Sequence, residues 1–189
     1  MLVRTFASAV TGIDAVTVTI EVNVSRGIRF FLVGLPDSAV KESQQRIESA
    51  LRAIDFHWPG KQVVINMAPA DIRKEGSSYD LPLALGILTA DEKVIKDKVE
   101  SYVIMGELSL DGTLQPVRGV LPIALRAREE GFKGVIVPVK NAREDIVIEY
   151  EVEFFMTITP AILVFYTTSY LHLKINPGAF IFLIYISIK

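Results

Sequence analysis

The sequence predicts an α/β fold: a mixed sheet with helices packed on it. Three observations predict it. Residues 16–24 alternate strictly, with Val16, Val18, Ile20, Val22 and Val24 on one side and Thr17, Thr19, Glu21 and Asn23 on the other. That is the period of a half-buried strand. Val40, Ile47, Leu51 and Ile54 share one face of a helical stretch. Beyond residue 60, strand-length apolar runs alternate with helix-length ones, as expected where helices return the chain to a sheet.

Each element has a local reason. Residues 2–10 read as a first strand, and Thr11-Gly12-Ile13-Asp14 supplies turn chemistry. After the second strand, Ser25-Arg26-Gly27 reads as a tight turn, so residues 28–33 are expected to pair back as a hairpin. Gly34-Leu35-Pro36-Asp37 ends that strand, and Asp37 is placed to cap a helix running to about Ile54. Trp58-Pro59-Gly60 breaks the chain beside His57, which reads as a loop residue, and residues 62–67 form a short buried strand. A polar loop follows over 66–78, and Asp80 is expected to cap a second, mostly buried helix with Pro82 in its first turn. Residues 102–110 read as a strand, and Asp111-Gly112 turns it back through Leu114. A third helix starts near Val120 and stops at Gly131, and residues 134–137 make the last strand of the domain.

Composition narrows the chemistry. The chain has 189 residues, net charge −2, no cysteine and two histidines. A disulfide framework, a thiolate metal site and a cysteine nucleophile are excluded, and a multi-histidine metal site is not expected. The charge balance gives no general push toward nucleic acid. The first residues carry no apolar leader-like core, so the expected location is cytoplasmic. Charge is also unevenly spread. From Phe154 to Lys189 there is no Asp, Glu, Arg or Gln, and Lys174 and Lys189 are the only charged residues. Residues 1–150 are therefore read as the domain and 151–189 as an apolar tail.

Three blocks go beyond generic patterning. The first is Phe31-Leu32-Val33-Gly34-Leu35-Pro36-Asp37, with Ala39-Val40-Lys41-Glu42-Ser43 and Arg46. The second is Ile65-Asn66-Met67-Ala68-Pro69-Ala70-Asp71-Ile72-Arg73, then Gly76 and Asp80-Leu81-Pro82. The third is Gly106-Glu107-Leu108-Ser109-Leu110-Asp111-Gly112, running into Pro116-Val117-Arg118-Gly119-Val120-Leu121-Pro122. Together they resemble the N-terminal domain of the Mg-chelatase-like AAA+ ATPases of ComM and YifB type. The resemblance implies the fold shared by the Lon proteolytic domain and domain 2 of ribosomal protein S5. It implies that an AAA+ module, missing here, follows in full-length members. Those members use ATP and Mg, form homo-hexamers and drive DNA branch migration in natural transformation. No small-molecule substrate is implied.

The Lon resemblance places Ser78 at the nucleophile position and Leu121 where a lysine base would stand. A serine nucleophile needs an adjacent group able to take its proton, and leucine cannot. Ser77 and Ser78 therefore read as turn residues, and no catalytic residue is expected. Neither is a nucleotide site. The only Gly-Lys pair is Gly60-Lys61, followed by Gln62, with Asp55 where a phosphate-binding loop needs its first glycine. No cofactor or metal is expected in this chain. Asp37, Glu42, Arg46, Asp71, Arg73, Lys74 and Asp80 are candidates for an interface with a neighbouring module or protomer. Glu42 and Arg46 have the i,i+4 spacing of a surface ion pair. Lys41, Arg46, Arg52, Lys61, Arg73 and Lys74 are the residues that would line a face toward DNA phosphates.

The tail has three readings. A break in the reading frame near residue 150 is favoured, since residues 154–173 lack charge but are interrupted by Pro160 and several Thr and Ser. A membrane segment is the alternative. A β-rich extension is the third.

Overall fold

The computed structural model describes residues 1–94, 96–143, 151–155, 163–167 and 181–184. Strands β1 (Leu2–Thr11) and β2 (Asp14–Ser25) form an antiparallel hairpin from Leu2↔Asn23 to Thr11↔Asp14. Val18, Ile20, Val22 and Val24 are buried on one face of β2, as the alternation requires. Val16 shares that face but lies near the hairpin tip and is exposed.

The expected pairing of residues 28–33 back onto β2 is not formed. Strand β4 (Gln62–Ala68) takes that edge, antiparallel to β2 from Thr19↔Ala68 to Ser25↔Gln62. Strand β3 (Phe30–Val33) lies outside β4 and parallel to it. Burial explains the exchange. Seven-residue β4 buries Val63, Ile65 and Met67, whereas four-residue β3 leaves Phe31 and Val33 exposed and suits an edge. Helices α1 (Ser38–Lys41) and α2 (Ser43–Ala53) make the crossover between these parallel strands. The single helix expected over 37–54 is thus two, parted at Glu42.

Among the described residues the main sheet has nine strands, in the order β11 (Ile181–Ile184), β10 (Leu163–Thr167), β9 (Glu151–Phe155), β8 (Gly134–Pro138), β5 (Tyr102–Ile104), β1, β2, β4 and β3. Strands β5 (Tyr102–Ile104) and β8 (Gly134–Pro138) run parallel to β1. Helix α3 (Asp80–Ala90) covers one face, where the Thr5 hydroxyl donates to the Pro82 carbonyl at 3.1 Å. All eleven of its residues are buried, and a Cβ on Gly86 would meet Val22 at 2.7 Å. Helix α5 (Val120–Glu129) meets β1 from the other side. Its flanking Phe132 stacks edge-on against Phe6 at 4.9 Å, and Gly119 lies against Val10. Phe6 and Val10 alternate with Thr5 and so share the opposite face. With both faces covered, Val103, Ile104, Val135, Ile136 and Val137 are all buried. A short helix α4 (Lys96–Val99) precedes β5.

The strand expected over 102–110 breaks at Met105-Gly106. The Met105 amide still bonds Ile136 at 2.9 Å, but the Gly106 amide turns away to Ser78 at 2.8 Å. The chain beyond it leaves the sheet and forms a separate ribbon of β6 (Glu107–Leu108) and β7 (Leu114–Gln115), closed by the Asp111-Gly112 turn.

The sheet continues past β8. Strand β9 (Glu151–Phe155) pairs parallel to it, and β10 (Leu163–Thr167) and β11 (Ile181–Ile184) follow antiparallel. Most of the apolar run over 154–173 lies outside the described residues. Among those described, no helix is long and apolar enough to cross a membrane.

Candidate functional site

The loop that leaves β4 carries the serine position, and its backbone is fastened at several points. The Lys74 amide donates to Leu35 at 3.2 Å, and the Asp37 amide donates to Lys74 at 3.0 Å. Asp37 caps α1 as the sequence predicts, accepting the Val40 amide at 2.8 Å. Its second oxygen accepts the Gly76 amide at 3.1 Å, so one carboxylate ties the helix start to the loop. Beyond Gly76 a 3₁₀ turn, Ser77–Tyr79, leads into α3. There the Leu81 amide donates to Gly106 at 2.9 Å, alongside the Gly106–Ser78 bond. The Tyr79 hydroxyl is pushed well up by burial, with Asp37 and Glu75 adding to the effect.

Asp80 does not cap α3, contrary to expectation. Tyr79 occupies the cap position without a side-chain bond, and Asp80 is the first helical residue. Its fully buried carboxylate is used elsewhere. It receives a two-pronged bond from Arg46, Nε at 2.7 Å and a terminal nitrogen at 2.9 Å, and the Leu108 amide at 3.2 Å. The same Arg46 nitrogen donates to the Ala39 carbonyl at 2.7 Å. Glu42, the expected i,i+4 partner, lies 3.7 Å from Arg46 with its side chain 70% exposed. Magnitudes rank the two contacts. An exposed helix pair contributes about 0.3–0.5 kcal/mol, whereas removing one partner of a buried pair costs about 3–5 kcal/mol. The hydrogen bonds that Arg46 donates to Asp80 raise its pKa above the ordinary value. Burial raises the Asp80 carboxyl, opposed by Arg46 and the Leu108 amide.

Glu107 completes this cluster. Its carboxylate accepts the Ser77 hydroxyl, and its charge acts on both Arg46 and Asp80. Sequence reasoning did not single it out, although it stands in the third motif block. Lys74 is fully buried, and its ammonium donates to the Pro69 carbonyl. Burial lowers its pKa, with the charge of Asp71 opposing.

The seven candidate interface residues therefore separate. Asp37, Arg46, Lys74 and Asp80 fasten the loop from within. Glu42, Asp71 and Arg73 stay at the surface, where Arg73 pairs with Glu75 at 3.1 Å. The six basic residues do not make one free face. Arg46 and Lys74 are turned inward, Arg52 pairs with Glu48 at 2.9 Å, and Lys61 pairs with Asp91 at 2.7 Å.

Ser78 is half-buried, and Leu121 in the first turn of α5 is exposed and offers no base. Gly60-Lys61-Gln62 leads into a strand, not a helix, so this Gly-Lys pair does not form a phosphate-binding loop. Among the described residues no group of three or more His, Cys, Asp and Glu could hold a metal ion.

Comparison with known proteins places this arrangement. Residues 20–141 match the family described as subunit ChlI of Mg-chelatase. The chain is 39% identical over 151 residues to competence protein ComM of Haemophilus influenzae, covering 79% of this chain and 30% of ComM. It is 40% identical over 137 residues to YifB of Escherichia coli, covering 72% of this chain and 27% of YifB. A more distant match is Lon protease 2 of Bacillus subtilis, 32% identical over 104 residues, 55% of this chain and 18% of the protease. The chain thus spans less than a third of the length of these relatives.

Proposed function

Because the chain belongs to the ChlI family of Mg-chelatase subunits, we propose that it is the non-catalytic N-terminal accessory domain of a ComM-like AAA+ ATPase. The observation that carries this reading is the match to ComM across 79% of the chain. The site agrees with an accessory role. Its polar groups are spent on holding one loop against α1, α2 and β6, and Leu121 offers no base to Ser78. In this reading the parent binds ATP and Mg through its AAA+ module, assembles as a homo-hexamer in the cytoplasm and drives branch migration on DNA. The domain itself takes no small-molecule substrate. Residues 151–189 are then an apolar tail that follows a break in the reading frame near residue 150.

A domain exchange tests the role. Residues 1–150 replace the matching segment of a full-length ComM-type ATPase, and unwinding of a synthetic four-way junction is followed. Retained ATP-dependent branch migration is expected, and its loss with an intact ATPase rate would sink the reading. Turnover of ATP or of a peptide by the purified chain would also overturn the non-catalytic assignment. For the tail, the nucleotide sequence after the Tyr150 codon is decisive. A phosphate-binding loop restored by a one-base shift is the expected result.

A further inference from the structure

Strand β3 is one end of the main sheet, and half of its backbone points away from the sheet. In a parallel ladder a residue turns its N–H and its C=O the same way, and the next residue turns both the other way. The Arg29 carbonyl accepts the Val63 amide at 2.9 Å, which sets the phase. Phe31 and Val33 therefore bond β4, and Phe30 and Leu32 hold their amides and carbonyls outward. Among the described residues no strand, loop or side chain meets those four groups. Phe30 and Leu32 pack their side chains against the core, which leaves Phe31 and Val33 on the other face, 42% and 50% exposed. No charge, proline or bulge interrupts Phe30-Phe31-Leu32-Val33, so its short length is the edge's only protection.

The two ends of this strand differ in charge. Arg26 and Arg29 are the only charged residues over 26–36, both exposed and, among the described residues, without an ion-pair partner. In the turn and helix that follow, Asp37 and Glu42 outnumber Lys41. The basic end of one such strand complements the acidic end of another laid antiparallel to it.

We propose that β3 pairs antiparallel with the β3 of a second copy, about a two-fold axis through Phe31. In that register Phe30 of each copy exchanges both backbone bonds with Leu32 of the other, so every outward group is satisfied. Phe31 then faces its own counterpart. Arg29 lies level with the other copy's Val33, away from like charge, and the segment carrying Arg26 and Arg29 comes beside the turn carrying Asp37. A parallel pair would set Arg29 against Arg29, which charge disfavours. Each chain has one β3 edge, so the contact closes at two copies. A four-residue strand from each copy falls well below the roughly 800 Å² per partner of a standard interface, so the dimer is weak. The pairing does not rest on the function proposed above.

Sedimentation of the full chain over a concentration series is the first measurement. A reversible monomer–dimer equilibrium is expected, and a chain that stays monomeric up to about 1 mM overturns the proposal. Phe31→Lys and Phe31→Glu each set like charges on the axis and should weaken the dimer about tenfold, and mixing the two variants should restore it as a heterodimer. Phe31 is an exposed edge residue, so both variants keep the fold, which thermal unfolding verifies. The register has its own test, since the chain has no cysteine. With oxidised glutathione, Phe31→Cys should give a disulfide-linked dimer, because the facing α-carbons are about 4.5 Å apart. Val33→Cys should not, because its two copies lie about 13 Å apart along the strands. Equal crosslinking of both variants, or a dimer that mixing fails to restore, overturns the two-fold pairing. So do open-ended assemblies, which require a head-to-tail contact such as β3 on β11. Saturable binding of a short unrelated strand peptide, Thr-Val-Thr-Val-Thr, by a chain that stays monomeric overturns it in favour of a foreign strand.

Discussion

The serine loop and the start of α5, where the resemblance to Lon would set a nucleophile and a base, are built in opposite ways. The loop is a network of polar groups held out of solvent, with Asp37, Arg46, Asp80 and Glu107 each satisfied by a partner. The α5 side shows water two leucines, Leu121 and Leu125. The difference teaches that the shape of this site does not depend on its chemistry. Leaving a buried polar group without its partner costs about 1–3 kcal/mol, so those groups contribute to the loop's stability. Nothing in the core constrains Leu121.

The comparison breaks most readily at the loop's anchor. Gly34 ends β3 with φ +102°, and a Cβ there would lie 2.0 Å from the Met67 carbonyl oxygen. Gly34→Ala should destabilise by about 3 kcal/mol or more, because both strand ends must move. Urea unfolding measures it, and a loss below about 1 kcal/mol would mean that the β3–β4 junction has slack. Next comes Asp80→Ala. It strands Arg46 against α3, and a cost of about 3 kcal/mol is expected. That is the lower end of the range, since the guanidinium retains some solvent contact. Glu42→Ala should cost no more than about 0.5 kcal/mol. Equal effects of the two would show that the surface pair carries Arg46 after all.

Much of the fold was legible because its signals are local. The alternation of β2, the Asp37 cap, the Asp111-Gly112 turn and the stop at Gly131 depend on neighbouring residues only. Errors arose where distant partners compete. Adjacency in sequence favours β3 for the edge of β2, yet the longer, more deeply buried β4 wins it. Helix spacing favours Glu42 for Arg46, yet a carboxylate thirty-four residues away is better shielded from water. The same logic hid the burial of Lys74, whose partner is a backbone carbonyl that no side-chain pattern reveals. Glu107 is different: it sits in a recognisable block, but its role needs the Gly106 turn that takes it out of the sheet.

Lys74 gives a prediction of sign. Burial lowers its folded-state pKa below the ordinary 10.5. Between the two values the unfolded chain holds a proton that the folded chain has released. Stability therefore rises with pH through that window. Lys74→Met should abolish this rise. Tyr79, pushed in the other direction, contributes to both proteins and cancels in the difference. Urea midpoints from neutral pH to about 10.5 for the two proteins test it. Parallel pH profiles would mean that Lys74 keeps its proton equally in both states, and that the loop is wetter than its burial indicates.

The smallest effect is expected at the other side of the comparison. Leu121→Lys restores the residue type that a dyad requires at that position, on a surface that tolerates it. Stability should change by no more than about 0.5 kcal/mol. No peptide hydrolysis should appear, because an exposed amine keeps a pKa near 10.4 and is neutral in only about four molecules in ten thousand at pH 7. A working base needs burial or a cationic neighbour to lower that value, and Leu121 is 45% exposed. Cleavage of a fluorogenic peptide is the measurement. Hydrolysis by Leu121→Lys that disappears on adding Ser78→Ala would refute the expectation. It would show that the serine loop is a competent half-site, and that one side chain separates this domain from a peptidase.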